Sequence, residues 1–348
     1  GAAQDWRMMG AEVTEIAPGT SMTPIDAAGL NKAFALGARA LLQARLVHRL
    51  IALAKQIEAQ RIVVQSPLEV PMTALVAKRC NIPVYWMMPN SVSEGYPLHL
   101  NRRLYSALSH RANLVALANS HYTLSTLGAG TINAQVVRLG IDVRAFCPTR
   151  WGPSAIAELR KQVGVCGEHG VFGLFARLVP NKGLGVLVEA LAMLATEGQH
   201  PNVIICGGPL DNDFTKKVIS RSQDIGVRDQ LFFLGQIQDI APWYAASDII
   251  LNTRLDPEPF GLSVIEGMAM AKPVLAHRAG GPAETVLDGE TGWLVSDLNP
   301  ASFAAGLRRA IADRHRWILM GRAARIHVER NFSEEGMLNR LEIGRAHV

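Results

Sequence analysis

Short apolar strands and helices alternate along almost the whole chain, and this alternation constrains the fold more than any other feature. In the first half, strands are expected over 12–16, 61–65 (a buried strand), 82–88, 114–118 and 134–138. Helices are expected over 27–60, 72–79, 101–111 and 122–127. A stretch from Gly140 to Gly170, punctuated by Pro148, Gly152 and Pro153, reads as a linker followed by a helix. The alternation then restarts, with strands over 171–176, 202–206, 231–234, 248–252, 273–276 and 292–295. Helices over 182–195, 213–225, 240–246, 300–312 and 316–329 separate and follow them. Strand–helix alternation implies parallel sheets with helices on both faces. The expected fold class is therefore α/β, with two doubly wound, Rossmann-like domains facing across a cleft. Their expected bounds are 1–148 and 149–332, followed by a C-terminal segment over 333–341.

At 348 residues the chain is long enough for two cores. No run of about 18 uncharged apolar residues marks a membrane span, and no signal peptide is evident. A cytoplasmic location is expected. Residues 1–150 hold fifteen Lys and Arg against eight Asp and Glu, a net of +7, which leaves −2 for the rest of a +5 chain. Such a basic half suits an anionic membrane surface or a phosphorylated acceptor, and equally a solvated basic surface. No nucleic-acid partner is expected. Cys80, Cys147, Cys166 and Cys206 lack metal-ligand or CxxC spacing and read as reduced core thiols. The ten histidines form no HxxxH or HxH pair, so no metal site is expected from them. The start at Gly1 without a Met reads as a missing N-terminus, and 342–348 resembles translated sequencing-adapter DNA, a non-native tail.

In open α/β sheets, ligands bind beyond the carboxyl ends of the strands. The loops there are 177–182, Gly207-Gly208, 253–261 and Gly280-Gly281. Glu258 and Glu266 are separated by seven residues, with a Pro-Phe-Gly turn and the start of a helix between them. The carboxylates suit hydroxyl donors. The amides near Phe260, Gly261 and Leu262, at a helix N-terminus, suit phosphate. Arg177 and Lys182 flank a tight loop and together can neutralise a pyrophosphate and the charge on a departing diphosphate. Gly207 and Gly208 let backbone approach a ligand closely. A helix capped by acids, a surface pair of basic residues and ordinary glycine turns are the plainer readings of the same residues. No Walker loop, G-x-G-x-x-G, G-x-S-x-G or HExxH is present, which weighs against a dinucleotide oxidoreductase or a serine hydrolase.

Together, Arg177, Lys182, Glu258, Glu266, Lys272-Pro273-Val274 and Gly280-Gly281 with Glu284 resemble the retaining nucleotide-sugar glycosyltransferases of family 4, the group 1 glycosyl transferases. The resemblance covers 171–295 and extends loosely to Ala118-Asn119-Ser120 and Leu139-Gly140-Ile141-Asp142. It implies the GT-B architecture and sugar transfer from a nucleotide diphosphate sugar to a glycan, lipid or small-molecule acceptor, with retention of anomeric configuration. It implies that Glu258 binds donor-sugar hydroxyls, with Phe260, Gly261 and Leu262 holding sugar and phosphate through their amides. Glu266 would bind ribose hydroxyls, and Arg177 and Lys182 the diphosphate, with no metal or other cofactor required. The catalytic assignment falls on Arg177, Lys182 and Glu258, and donor binding on Gly207, Gly208, Glu258, Phe260, Gly261, Leu262 and Glu266.

The chain departs from the family twice. The family's first strand and glycine-rich loop lie before Gly1, so the first domain is expected to be truncated. The position of a frequent histidine reads Met88-Pro89-Asn90. A nucleotide-sugar epimerase, a phosphorylase on the same architecture, and a non-catalytic sugar-nucleotide-binding paralogue are the alternatives.

Overall fold

The structure is a computed structural model that describes residues 44–92, 103–105, 107–108, 113–128, 133–165 and 170–345. The expected strand over 12–16, most of the expected helix over 101–111, the first part of that over 27–60, and Cys166 lie outside the described residues. The chain divides into two compact units. One comprises Gly1–Met88, Val92–Leu117 and Leu127–Gln135, the other Pro89–Ser91, Ala118–Thr126 and Val136–Val348.

The four-stranded sheet of the first half has the order β1-β2-β3-β4. Its strands are β1 (Ile62–Val64), β2 (Val84–Met88), β3 (Leu114–Ala118) and β4 (Asn133–Val136). Residues 44–56 form a helix, and α1 (Val70–Cys80) connects β1 to β2, which run parallel. α1 begins with a proline near its N-terminus and stops at Asn81, whose left-handed backbone (φ 56°) closes the last turn. Every residue of β3 is buried. β1 is not the buried strand expected: Val63 is 60% exposed, and among the described residues the strand has a neighbour, β2, on one side alone.

The second unit contains a six-stranded sheet in the order β10-β9-β8-β5-β6-β7, all neighbours parallel. Its strands are β5 (Val171–Phe175), β6 (Asn202–Cys206), β7 (Leu231–Gly235), β8 (Ile249–Asn252), β9 (Val274–His277) and β10 (Gly292–Val295). Short α2 (His121–Ser125) groups with this unit, and α3 (Pro153–Gln162) precedes β5. Then follow α4 (Leu184–Ala195), α5 (Asp213–Asp224), α6 (Ala241–Ala246), α7 (Leu262–Ala269), α8 (Gly281–Thr285), α9 (Pro300–Ala312), α10 (Trp317–Asn331) and α11 (Glu334–Arg345). Apolar strands such as Asn202–Cys206, buried along their whole length, need cover on both faces. One core joins Leu187, Leu191, Val203, Phe303 and Leu307; the other joins Ile204, Tyr244, Ile250, Ile265 and Val274.

The strand order fixes where a ligand belongs. From β5 the chain moves outward to β6 and β7, then returns to β5's other side at β8. β5 and β8 therefore flank the switch point, where loops leaving adjacent strands diverge and open a crevice.

Candidate functional site

The loops after β5 and β8 are stitched together before they reach the crevice. Leu255 donates its amide to Asn181 O at 2.9 Å, and Thr253 Oγ1 donates to Lys182 O at 2.6 Å. Gly183, at φ 74°, lies so close that a β-carbon there would stand 1.8 Å from Thr253 O. The helix expected from 182 thus starts at Leu184: Pro180–Lys182 form a 3-10 turn, and left-handed Gly183 reorients the chain. This close contact sets Lys182 beside the acidic loop.

There Lys182 Nζ meets Glu258 Oε2 at 2.8 Å, and Arg254 Nη1 meets Glu258 Oε1 at 2.6 Å. Arg254 also grips Asp256 through two bonds of 2.8 Å. The hydrogen bond from Arg254 holds the Asp256 carboxyl below its ordinary range, and the one to Asp256 helps raise Arg254. Glu258's side chain is 14% exposed, so each of its oxygens faces a cation in a largely dry setting. Its backbone is fixed as well: Gly281 N donates to Glu258 O at 2.7 Å. Gly280 has a positive φ of 68°, and a β-carbon there would stand 2.2 Å from Glu258 O. The glycine pair lets β9's exit loop lie flat against the acidic loop.

Glu266 stands within α7, whose N-cap is Gly261 at φ 94°. No side chain caps this helix; Val264 N turns back to Gly261 O at 3.0 Å, and the amides of Leu262 and Ser263 precede the first such bond. Tyr244 OH donates to Glu266 Oε2 at 2.7 Å, and the buried tyrosine ring stacks on Phe175 with centroids 3.6 Å apart. Burial raises the Glu266 carboxyl, with the Tyr244 bond opposing it, and burial lifts Tyr244 well above its usual range. Phe260 is buried against Phe332, with centroids 6.0 Å apart, while Leu262 is 48% exposed.

A cavity of about 470 Å³ collects these groups: Arg177, Lys182, Arg254, Glu258, Glu266 and the Phe260–Leu262 turn all line it. Arg177 is exposed and makes no side-chain hydrogen bond among the described residues. Gly207 and Gly208 stand one step beyond Cys206, which lines the cavity. Their backbone is engaged within the fold: Gly207 N donates to Gly235 O at 2.8 Å, and Gly208 O accepts from Leu178 N at 2.8 Å. Arg254 and Tyr244 were not among the expected site residues. Arg254 carries a local signal, a cation four residues before Glu258; Tyr244 carries none, since its partner is set by packing.

α2 braces the acidic loop from another side. Ser120 caps α2 by accepting from Thr123 N at 2.9 Å and donates to Pro259 O at 2.6 Å. Glu284, on α8, accepts from His121 N at 3.0 Å and Tyr122 N at 2.7 Å.

This geometry can hold an anion against Arg177, Lys182 and helical amides while carboxylates face hydroxyls. Residues 155–326 match the family model of the glycosyl transferases group 1. Residues 155–326 are a group 1 glycosyl transferase domain. Over 203 residues the chain is 34% identical to the D-inositol 3-phosphate glycosyltransferase of Corynebacterium kroppenstedtii, covering 56% of this chain and 44% of that protein. It is 31% identical over 194 residues to the GDP-mannose-dependent alpha-(1-6)-phosphatidylinositol monomannoside mannosyltransferase of Mycolicibacterium smegmatis, covering 53% and 49%. The chain spans about half the length of the curated relatives it matches. Among solved structures, Anabaena HepE in complex with UDP-glucose is similar with a TM-score of 0.76 at 25% identity, covering 87% of this chain and 82% of that one. The fold class is that expected: two parallel-sheet α/β domains, like those of GT-B glycosyltransferases.

Proposed function

We propose that this chain is a glycosyltransferase that moves a sugar from a nucleotide diphosphate sugar to a glycan, lipid-linked or small-molecule acceptor with retention of configuration. The observation that carries the proposal is the convergence of Lys182 and Arg254 on Glu258 beside the uncapped start of α7, in the cavity that Arg177 also lines. In this reading Arg177 and Lys182 take the diphosphate, together with the amides of Gly261 and Leu262. Glu258 accepts from sugar hydroxyls, and Tyr244 aims Glu266 at the ribose. Gly207 and Gly208 act by letting the loop after β6 pass close to the donor. As the sugar leaves, charge builds on the diphosphate, and cations preorganised in a partly desolvated site stabilise it. That stabilisation needs no metal in this mechanism. The basic first half is the basis for proposing peripheral contact with an anionic membrane in the cytoplasm; among the described residues no helix is long and apolar enough to cross one.

The test is a screen of UDP- and GDP-sugars with the full-length protein, following nucleoside diphosphate release and product anomer. Lys182→Ala and Glu258→Gln are each expected to lower turnover roughly 10²–10³-fold, the scale of losing one charge-stabilising group. Wild-type turnover in both folded variants would falsify these roles. Epimerised donor or phosphate-dependent release of sugar phosphate would replace transfer with the epimerase or phosphorylase reading, and nucleotide binding without transfer would mark a non-catalytic paralogue.

A further inference from the structure

α10 turns one face inward, burying Trp317, Met320, Gly321, Ala324 and Val328. The other face is unlike an ordinary solvated helix surface. Ile318 is 71% exposed, Leu319 66% and Ile326 48%. Arg314, Arg322 and Arg330 are exposed beside them. At 3.6 residues per turn, the five of these that lie in the helix fall within a sector of roughly 120°, and Arg314 stands in the 3-10 turn that leads into it. One acid, Glu329, shares the face, and Arg325 already engages it at 2.6 Å. At the helix start, Arg316 pairs with Asp313 at 3.7 Å and Arg309 with Asp288 at 3.0 Å, so the neighbouring acids face their own partners. The three aliphatic side chains contribute little to the core, and the three arginines lack carboxylate partners among the described residues.

Single exposed aliphatic residues are common on protein surfaces, but three on one helical face form a patch with two chemistries when the arginines beside them have no carboxylate partner among the described residues; Arg314 lies over the Trp317 ring, 5.6 Å from its centroid. We propose that this face docks the protein on a bilayer carrying anionic lipid. Ile318, Leu319 and Ile326 enter the headgroup–acyl boundary, while Arg314, Arg322 and Arg330 meet lipid phosphates. Charge complementarity selects this occupant over a second copy of the chain, since a self-complementary interface would set arginines against arginines. The inference concerns a surface apart from the cavity and does not depend on sugar transfer.

Co-sedimentation of the full chain with two vesicle types tests it: phosphatidylcholine alone, and phosphatidylcholine with an equal part of phosphatidylglycerol. Binding is expected with the anionic vesicles alone and should weaken as salt rises. Ile318→Ser/Leu319→Ser should weaken it at least about tenfold by removing inserted apolar surface. Each of Arg314→Gln, Arg322→Gln and Arg330→Gln should weaken it about fivefold. All these positions are exposed, and an unchanged melting temperature confirms folding. Equal binding to both vesicle types, no binding to either, or wild-type binding by the Ile318/Leu319 variant overturns the proposal. So does a concentration-dependent dimer that the same variant dissolves, because the patch then belongs to a second copy.

Discussion

Lys272 is the cation that least resembles a surface lysine. Its Nζ donates to Ala245 O at 2.9 Å, at the C-terminal end of α6, where Arg160 Nε also donates to Ala246 O at 2.7 Å. Two cations thus serve the terminal carbonyls of one short helix, which those carbonyls favour. Burial pushes Lys272 down to about 8, with Asp248 opposing and Arg160 adding to the shift. Because the folded value lies below the unfolded one, the unfolded chain binds the extra proton between about 8 and 10.5. Stability attributable to Lys272 is therefore fully present above the upper value and lost as pH falls through the lower. Denaturant unfolding of the wild type across that window should show stability rising with pH by up to about 1.4 kcal/mol per unit relative to Lys272→Met. Parallel pH profiles for the two proteins would show that this lysine is solvated. Glu258 is the contrasting case: its environment is set by direct cation contacts, so its variants report on ligand chemistry as much as on stability.

Among elements, α2 and its two braces show how a segment distant in sequence shapes the acidic loop. Ser120 reaches Pro259 O, and Glu284 takes two first-turn amides of α2. The carbonyl of Pro259 lies between Glu258 and the Phe260–Leu262 turn, so loosening α2 frees the segment proposed to hold the donor. Glu284→Ala should lower unfolding stability by about 1–2 kcal/mol, the scale of lost hydrogen bonds to a charged acceptor at a partly exposed site. It should also raise the donor KM. Glu284→Gln keeps one acceptor oxygen and should fall between the two; chemical denaturation and donor titration together check both effects. Such braces are where sequence reading stops. β3, β6, β10 and α9 lie at the residues expected for them, because unbroken apolar runs or a 3.6-residue period bounded by Gly, Pro or Asn determine them locally. Arg177, Lys182, Glu258 and Glu266 are likewise legible, since each lies in a loop after a strand or about one turn into the helix that follows. Tyr244 is not, and Ser120 enters only through the loose resemblance, without its partner. Their partners are 22 and 139 residues away, and no local pattern encodes a hydrogen bond made by tertiary packing. That α4 starts two residues later than expected has a smaller cause: Gly183, within the expected helix, approaches Thr253 so closely that its backbone must be left-handed.

At the scale of the whole molecule, charge is divided unevenly, and the site lies in the half that is not basic. The net of −2 beyond residue 150 means that an anionic ligand reaches Arg177 and Lys182 through local cations, without attraction from the charge of that half as a whole. Ligand binding should accordingly register as stabilisation that specific side chains control. At a free concentration of about 100 times Kd, a ligand that binds only the folded state adds about 2.7 kcal/mol. For a unit of this size that corresponds to a rise of roughly 5–10 °C in the midpoint of the transition it governs. Two units need not melt together, so calorimetry, which separates their transitions, is the suitable measurement. UDP or GDP should produce the shift, and Arg177→Ala/Lys182→Ala should remove most of it. Arg177 is exposed and lacks a side-chain partner among the described residues, but Lys182 pairs with Glu258, so the single variant Arg177→Ala separates lost ligand contact from a disturbed ion pair. The shift should also survive EDTA, because the proposed diphosphate site is made of side-chain cations and amides. Abolition of the shift by EDTA, with recovery on adding a divalent cation, would move the phosphate charge from Arg177 and Lys182 to a metal. Full retention in the double variant would remove the diphosphate from this cavity altogether.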